Sequence, residues 1–234
     1  MVLQQSILYV GTFAPALVAL WITARSGVPG STQALLGKVV KWDVKIKWYL
    51  FAATYMALIK IFVAVIYKVI CGQWPQFGEE EWYIMIAAIL FSTWVQAGEE
   101  IGWRGFALPR LTARFGLPLS TLILGVIWAC WHFPLFFVRG ANQFGQSFPL
   151  YLMQIIALSV AIGWLYWRAQ GSLLLPMLLH AAVNNTKDIV PSTVKGATNQ
   201  FAWSNSFVAW ITLILLWLFA IYFLYQMRYV KHVE

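Results

Sequence analysis

Long apolar blocks follow one another along this chain, and polar residues are confined to the gaps between them and to a few interior positions. A helix that crosses a bilayer needs about 20 predominantly apolar residues. The candidate blocks are Ile7–Thr23, Trp48–Ile70, Trp82–Ala97, Leu117–Val138, Pro149–Trp167, Ser172–Asn185 and Phe207–Gln226. The third and sixth are short, and both are places where polar groups enter. The pattern predicts an all-α fold, a polytopic transmembrane helical bundle of about seven or eight helices around a membrane-embedded polar cavity. Residues 1–234 are expected to form a single integral membrane domain.

Composition removes the soluble alternative, since mean hydropathy is +0.72 with 61% hydrophobic and 10% charged residues. The net charge of +8 would suit nucleic acid, but its distribution decides against that partner. Arg25, Lys38, Lys41, Lys45 and Lys47 lie in the first gap; Arg104, Arg110 and Arg114 follow the third block; Arg228 and Lys231 lie in the tail. These are alternate loops, the positive-inside signature, so the amino terminus is expected outside and the carboxyl terminus in the cytoplasm, in the cell membrane. Lys68, Arg139, Lys187 and Lys195 fall on the other side, so the bias is not absolute. Membrane lipids, through anionic headgroups, are the expected partner, and nucleic acid is not. The start of the chain lacks a charged n-region and a clear cleavage site, so Ile7–Thr23 is expected to be a retained span. Cys71 and Cys130 indicate neither a disulfide framework nor a cysteine metal site.

Several smaller features follow in chain order. Leu35–Lys47 is basic and amphipathic, with Lys38, Lys41 and Lys45 spaced for one helical face; it either lies on an anionic surface or is a solvated loop. Lys60 falls near the middle of the second block and is expected to face protein or water. Glu79, Glu80 and Glu81 suit a helix start, because carboxylates favour the positive end of the helix dipole. Ile101–Phe115 is expected to be a helix that either continues the third block or folds back from it.

Chemistry enters at Gly98-Glu99-Glu100-Ile101-Gly102-Trp103-Arg104. Ionisable groups at membrane depth cost roughly 2.5–3.5 kcal/mol each and normally face a cavity where they find partners. On a continuing helix Glu100 and Arg104 pair at i, i+4, where the guanidinium fork could clamp the carboxylate at two points. Glu99 lies about 100° round the helix and stays free for other work. The fourth block adds Trp128 and His132 on one face, the sixth adds His180 and Asn184 with Asn185 beside them, and His232 sits in the charged tail. Each alone has a plain explanation: a charge group at the membrane boundary, a packed histidine, a pair bonding two helices, a solvated tail residue. Together they make the complement of a hydrolase, with a carboxylate to take a proton from water, imidazoles to orient it, and donors for an oxyanion.

At these residues the chain resembles the CAAX-protease and bacteriocin-processing (Abi) family of intramembrane endopeptidases, which includes the type II CAAX prenyl endopeptidases. The family pattern Glu-Glu-x-x-x-Arg, Phe-x-x-x-His, His-x-x-x-Asn/Asp is met by Glu99-Glu100-Ile101-Gly102-Trp103-Arg104, Trp128-Ala129-Cys130-Trp131-His132 and His180-Ala181-Ala182-Val183-Asn184. The departure is Trp128, where the family usually has Phe. The family-like core covers about residues 82–186. The resemblance implies that Glu99 is the general base activating water, and that His132, His180 and Asn184 position it and stabilise the tetrahedral intermediate. Glu100 and Arg104 would be the supporting ion pair. It leaves the cofactor open between none and one Zn2+ on Glu99, His132 and His180, although the sequence lacks His-Glu-x-x-His. The implied substrate is a membrane-associated peptide or protein, either prenylated and CAAX-type or a leader peptide. The alternatives are a non-catalytic peptide-binding or bacteriocin-immunity protein of the same fold, and a proton-coupled transporter.

One difficulty stands against this convergence. With straight spans, Glu99 lies about 25 Å along its helix from Trp82, near the inner face, and His132 about 22 Å along a helix that starts inside at Leu117. The two could not meet unless residues 98–115 fold back or the span limits are wrong by a turn or more.

Overall fold

The computed structural model describes residues 2–75, 81–139, 141, 143–186 and 206–230, which are helical with no strand among them. In order the helices are α1 (Val2–Arg25), α2 (Ser31–Gly37), α3 (Ile46–Cys71), α4 (Trp82–Val95), α5 (Ala97–Glu100), a π-helical segment (Ile101–Ala107), α6 (Leu108–Phe115), α7 (Leu117–Trp131), α8 (Phe148–Arg168), α9 (Leu174–Thr186) and α10 (Ser206–Met227). Five stretches are long and apolar enough to cross a membrane, namely Ile46–Cys71, Trp82–Phe115, Leu117–Phe137, Phe148–Arg168 and Phe207–Met227. The chain is an integral membrane protein with a polytopic helical fold. The sixth block does not span by itself, because α9 has 13 residues and reaches only about 20 Å against about 30 Å of hydrocarbon. Glu79, Glu80, Lys187, Lys195, Lys231 and His232 lie outside the described residues, while Glu81 precedes the first residue of α4 without a side-chain capping bond.

α8 is the central helix, with 72% of its apolar window buried against 33–39% for the other four. It packs between α7 and α10, while α9 packs against α3 and α4. Trp164 on α8 stacks on Phe223 of α10 with centroids 4.3 Å apart, and its indole N–H donates to Gln226 Oε1 at 2.7 Å. That satisfies the one polar atom a buried tryptophan brings into a core. Lys60 is 2% exposed, so it faces protein inside the bundle.

The basic segment after α1 differs from a single amphipathic helix. α2 ends at Gly37, a short 3₁₀ turn follows at Lys38–Val40, and the chain then runs on to the start of α3. Two of its lysines bond back onto the bundle: Lys38 Nζ donates to Tyr166 Oη at 3.1 Å and, at the surface, Lys41 Nζ to the Gln170 carbonyl at 2.6 Å. The Leu173 amide donates to the Lys38 carbonyl at 2.8 Å and Ser172 Oγ to the Lys41 carbonyl at 2.6 Å. These bonds answer the unpaired backbone groups of the α8–α9 turn, so they outweigh solvation of the lysines. The strap fixes where α9, and hence His180, begins.

α1 lies against α5 and the π-helical segment. A Cβ on Gly102 would stand 2.5 Å from Pro15 Cβ and 2.6 Å from its carbonyl carbon, so only glycine allows this approach. Small residues serve the same end between other membrane helices. Gly102→Ala is therefore expected to push α1 off the helix that carries the charge cluster, at the overpacking cost of about 1–3 kcal/mol. Thermal unfolding in detergent should show a lower midpoint, and an unchanged midpoint would mean that α1 yields freely.

Candidate active site

The helix that begins at Trp82 does not stop at Ala97; it runs for 34 residues to Phe115. The chain then reverses at Gly116, whose φ of 74° suits glycine, and α7 packs back against α6. This settles the difficulty of depth. Glu99 lies 17 residues before Gly116 and His132 lies 16 after it, so both stand about 25 Å from the turn on antiparallel helices. The expected span limit at Ala97 was wrong, and the third block continues through its charges without folding back. The seven-residue π-helical segment begins directly after Glu100 and contains Arg104; such insertions change the phase of side chains and recur at functional sites.

The charges persist inside because they answer one another. Glu100 Oε1 accepts from Arg104 Nη1 at 2.8 Å and from His180 Nδ1 at 2.9 Å, with Glu100 and Arg104 fully buried and His180 5% exposed. The clamp is not two-pronged as expected: Arg104 Nε and Nη2 and Glu100 Oε2 carry no hydrogen bond among the described residues. Instead the guanidinium lies over the Trp128 indole, 4.5 Å from its centroid, where the ring quadrupole attracts a cation. Trp128 is also edge-on to His180 at 5.1 Å, and its indole N–H donates to Glu99 Oε2 at 2.6 Å. One turn further along α7, His132 Nδ1 meets the Trp128 carbonyl at 2.9 Å.

These contacts fix tautomers. A carboxylate and a carbonyl can only accept, so both His180 and His132 carry hydrogen on Nδ1, which leaves Nε2 as the acceptor of each ring in its neutral form. Glu99, 6% exposed, has Oε2 held by the indole, while Oε1 carries no hydrogen bond among the described residues. A water on Oε1 could give it a proton while an imidazole Nε2 holds the second hydrogen.

The structure gathers Glu100, Arg104 and His180 directly, and brings in Glu99 and His132 through Trp128. Asn184 does not join that network; its side chain, one turn beyond His180, is exposed. Its neighbour Asn185 instead ties α9 to α4, donating to Ser92 Oγ at 2.9 Å. No three His, Cys, Asp or Glu side chains stand close enough to share a metal ion among the described residues. The set Glu99, His132 and His180 thus does not fit a three-ligand zinc site as placed here. The residue that motif reasoning undervalued is Trp128, which touches four of the five groups just named; its signal was the departure from Phe.

With this geometry in view, comparison with known proteins is specific. Residues 80–186 match the family model described as type II CAAX prenyl endopeptidase Rce1-like. Within that stretch lie all three motifs and the side-chain contacts of the site, so it is over these residues that the chain is similar to the CAAX prenyl endopeptidases. A curated relative, CAAX prenyl protease 2 of Methanococcus maripaludis, is 31% identical over 101 residues, which is 41% of this chain and 37% of the relative. The matched region therefore spans little more than a third of that relative's length.

Proposed function

We propose that this chain is an intramembrane endopeptidase that hydrolyses a peptide bond of a membrane-associated substrate through water activated by Glu99. The observation that carries this is the buried Glu99 carboxylate, with one oxygen held and the other open, joined through Trp128 to two histidines whose Nδ1 atoms are already committed. Water on Oε1 loses a proton to Glu99 as its oxygen bonds to the scissile carbonyl carbon, and His180 or His132 Nε2 accepts a hydrogen bond from the hydrogen that stays on that oxygen. The oxyanion is met by the Asn184 carboxamide, which stands outside the Glu100–Arg104–His180 network with its side chain exposed and so uncommitted to it. Glu99 then returns the proton to the leaving nitrogen as the carbon–nitrogen bond breaks.

The relative's name supports an isoprenylated CAAX peptide as substrate class. The test is to offer the purified chain in nanodiscs a farnesylated CAAX peptide, its unprenylated counterpart and a library of membrane peptides, and to map new termini. New termini that vanish in Glu99→Gln and survive dialysis against a chelator support a glutamate-activated water; binding without any cut supports a peptide-binding or immunity protein instead.

Topology belongs to the same proposal. Ser159 Oγ donates to the Thr121 carbonyl and the Leu117 amide to the Val230 carbonyl, so the α6–α7 turn, the end of α8 and the start of the tail share one end of the bundle with the basic strap. That end is placed in the cytoplasm of a cell membrane. A reporter fused after residue 234 should be active on the cytoplasmic side, and activity confined to the outer side would reverse the assignment.

A further inference from the structure

Resting on the protease reading, we propose that the indole N–H of Trp128 is a positioning group for the base: it holds Glu99 Oε2 so that Oε1 alone is left to meet water. Two of the roles of Trp128 need only an aromatic ring, the cation over its face and the edge contact with His180. The phenylalanine usual at this motif position would serve both. The third role needs a donor, and phenylalanine has none.

Both partners are desolvated, Trp128 at 2% and Glu99 at 6% exposure. A buried indole N–H seeks an acceptor, and one donated to a carboxylate is among the stronger hydrogen bonds. The terminal torsion of a glutamate is broad and roughly two-fold, so the carboxylate has no intrinsic preferred orientation. A donor fixed by the α7 backbone selects one. Because His132 Nδ1 lies on the carbonyl of the same residue, the base and one imidazole are set by a single rigid element. Alignment of this kind is lost with displacements on the order of 1 Å.

The experiment labels the 14 tryptophans with ¹⁵N at the indole in the full chain in nanodiscs. The signal absent from Trp128→Phe should be the one that shifts in Glu99→Gln. In turnover, Trp128→Phe should lower kcat about tenfold or more with KM unchanged, as expected for loss of a hydrogen bond to a charged group. It should cost nothing further in the Glu99→Gln background, a coupling that a purely structural role would not show. Benzothienylalanine at position 128, in which sulfur replaces the N–H in an unchanged ring system, should reproduce the effect and covers the case in which phenylalanine disturbs folding. A position 128 signal unmoved by Glu99→Gln, or full kcat in both replacements, overturns the proposal. The indole measurement needs no cleavage: a wild-type chain that cuts no peptide overturns the protease reading, whereas an unmoved signal overturns the positioning contact.

Discussion

Glu99→Gln is expected to lower turnover by on the order of 10² or more while leaving insertion, folding and peptide binding intact. Glutamine keeps the length of the side chain, and its carboxamide oxygen still accepts the Trp128 indole N–H that lies 2.6 Å from Oε2. What it cannot do is take a proton. The buried pair of Glu100 with Arg104 is separate from this carboxylate, so stability should change little. His180→Ala and Asn184→Ala should also be severe, and combining either with Glu99→Gln should add little, because groups that act as one unit are not additive. Near-normal kcat in Glu99→Gln, measured on a peptide that the wild type cuts, would return the charge cluster to a purely structural role.

The apolar blocks announced the helices, and three short motifs announced the cluster, but the depth of the cluster was misread. Hydropathy counts each charge as if it stood alone, so Glu99, Glu100 and Arg104 looked like the end of a span. Inside the bundle Glu100 is paired with both Arg104 and His180, and a helix carrying paired charges can pass on through the membrane. Arg104 was legible at i+4, but the second partner of Glu100, His180, lies 80 residues away, beyond any window of local sequence. The setting of Lys38 and Lys41 was left open for the same reason. Their spacing suits a surface helix, yet the hydroxyl of Tyr166 and the carbonyl of Gln170, neither local, hold them against the bundle. Trp128 was legible as an aromatic position in the motif, but the use of its N–H depends on Glu99 lying opposite, which only the turn at Gly116 brings about.

The largest effect on stability is expected from Glu100→Gln, and the reason also separates stability from chemistry. Breaking a buried ion pair by neutralising one partner leaves the other charge without compensation, at a cost typically of about 3–5 kcal/mol. Arg104 is fully buried, and its only hydrogen bond among the described residues goes to Glu100 Oε1, so little else can take up the charge except the Trp128 ring. Thermal unfolding of Glu100→Gln in nanodiscs should show a large fall in midpoint. Combining it with Arg104→Met removes the orphaned cation and fills the space with an apolar side chain, a replacement that is often neutral or stabilising for buried pairs. The double variant should regain most of the lost midpoint. It should not regain turnover, because His180 Nδ1 would then face a neutral amide that can turn its NH₂ toward the ring in place of its oxygen, and the tautomer that leaves Nε2 open would no longer be enforced. A double variant that stays as unstable as Glu100→Gln would show that the buried charge is not the cause. One that regains full turnover would show that the carboxylate does not orient His180.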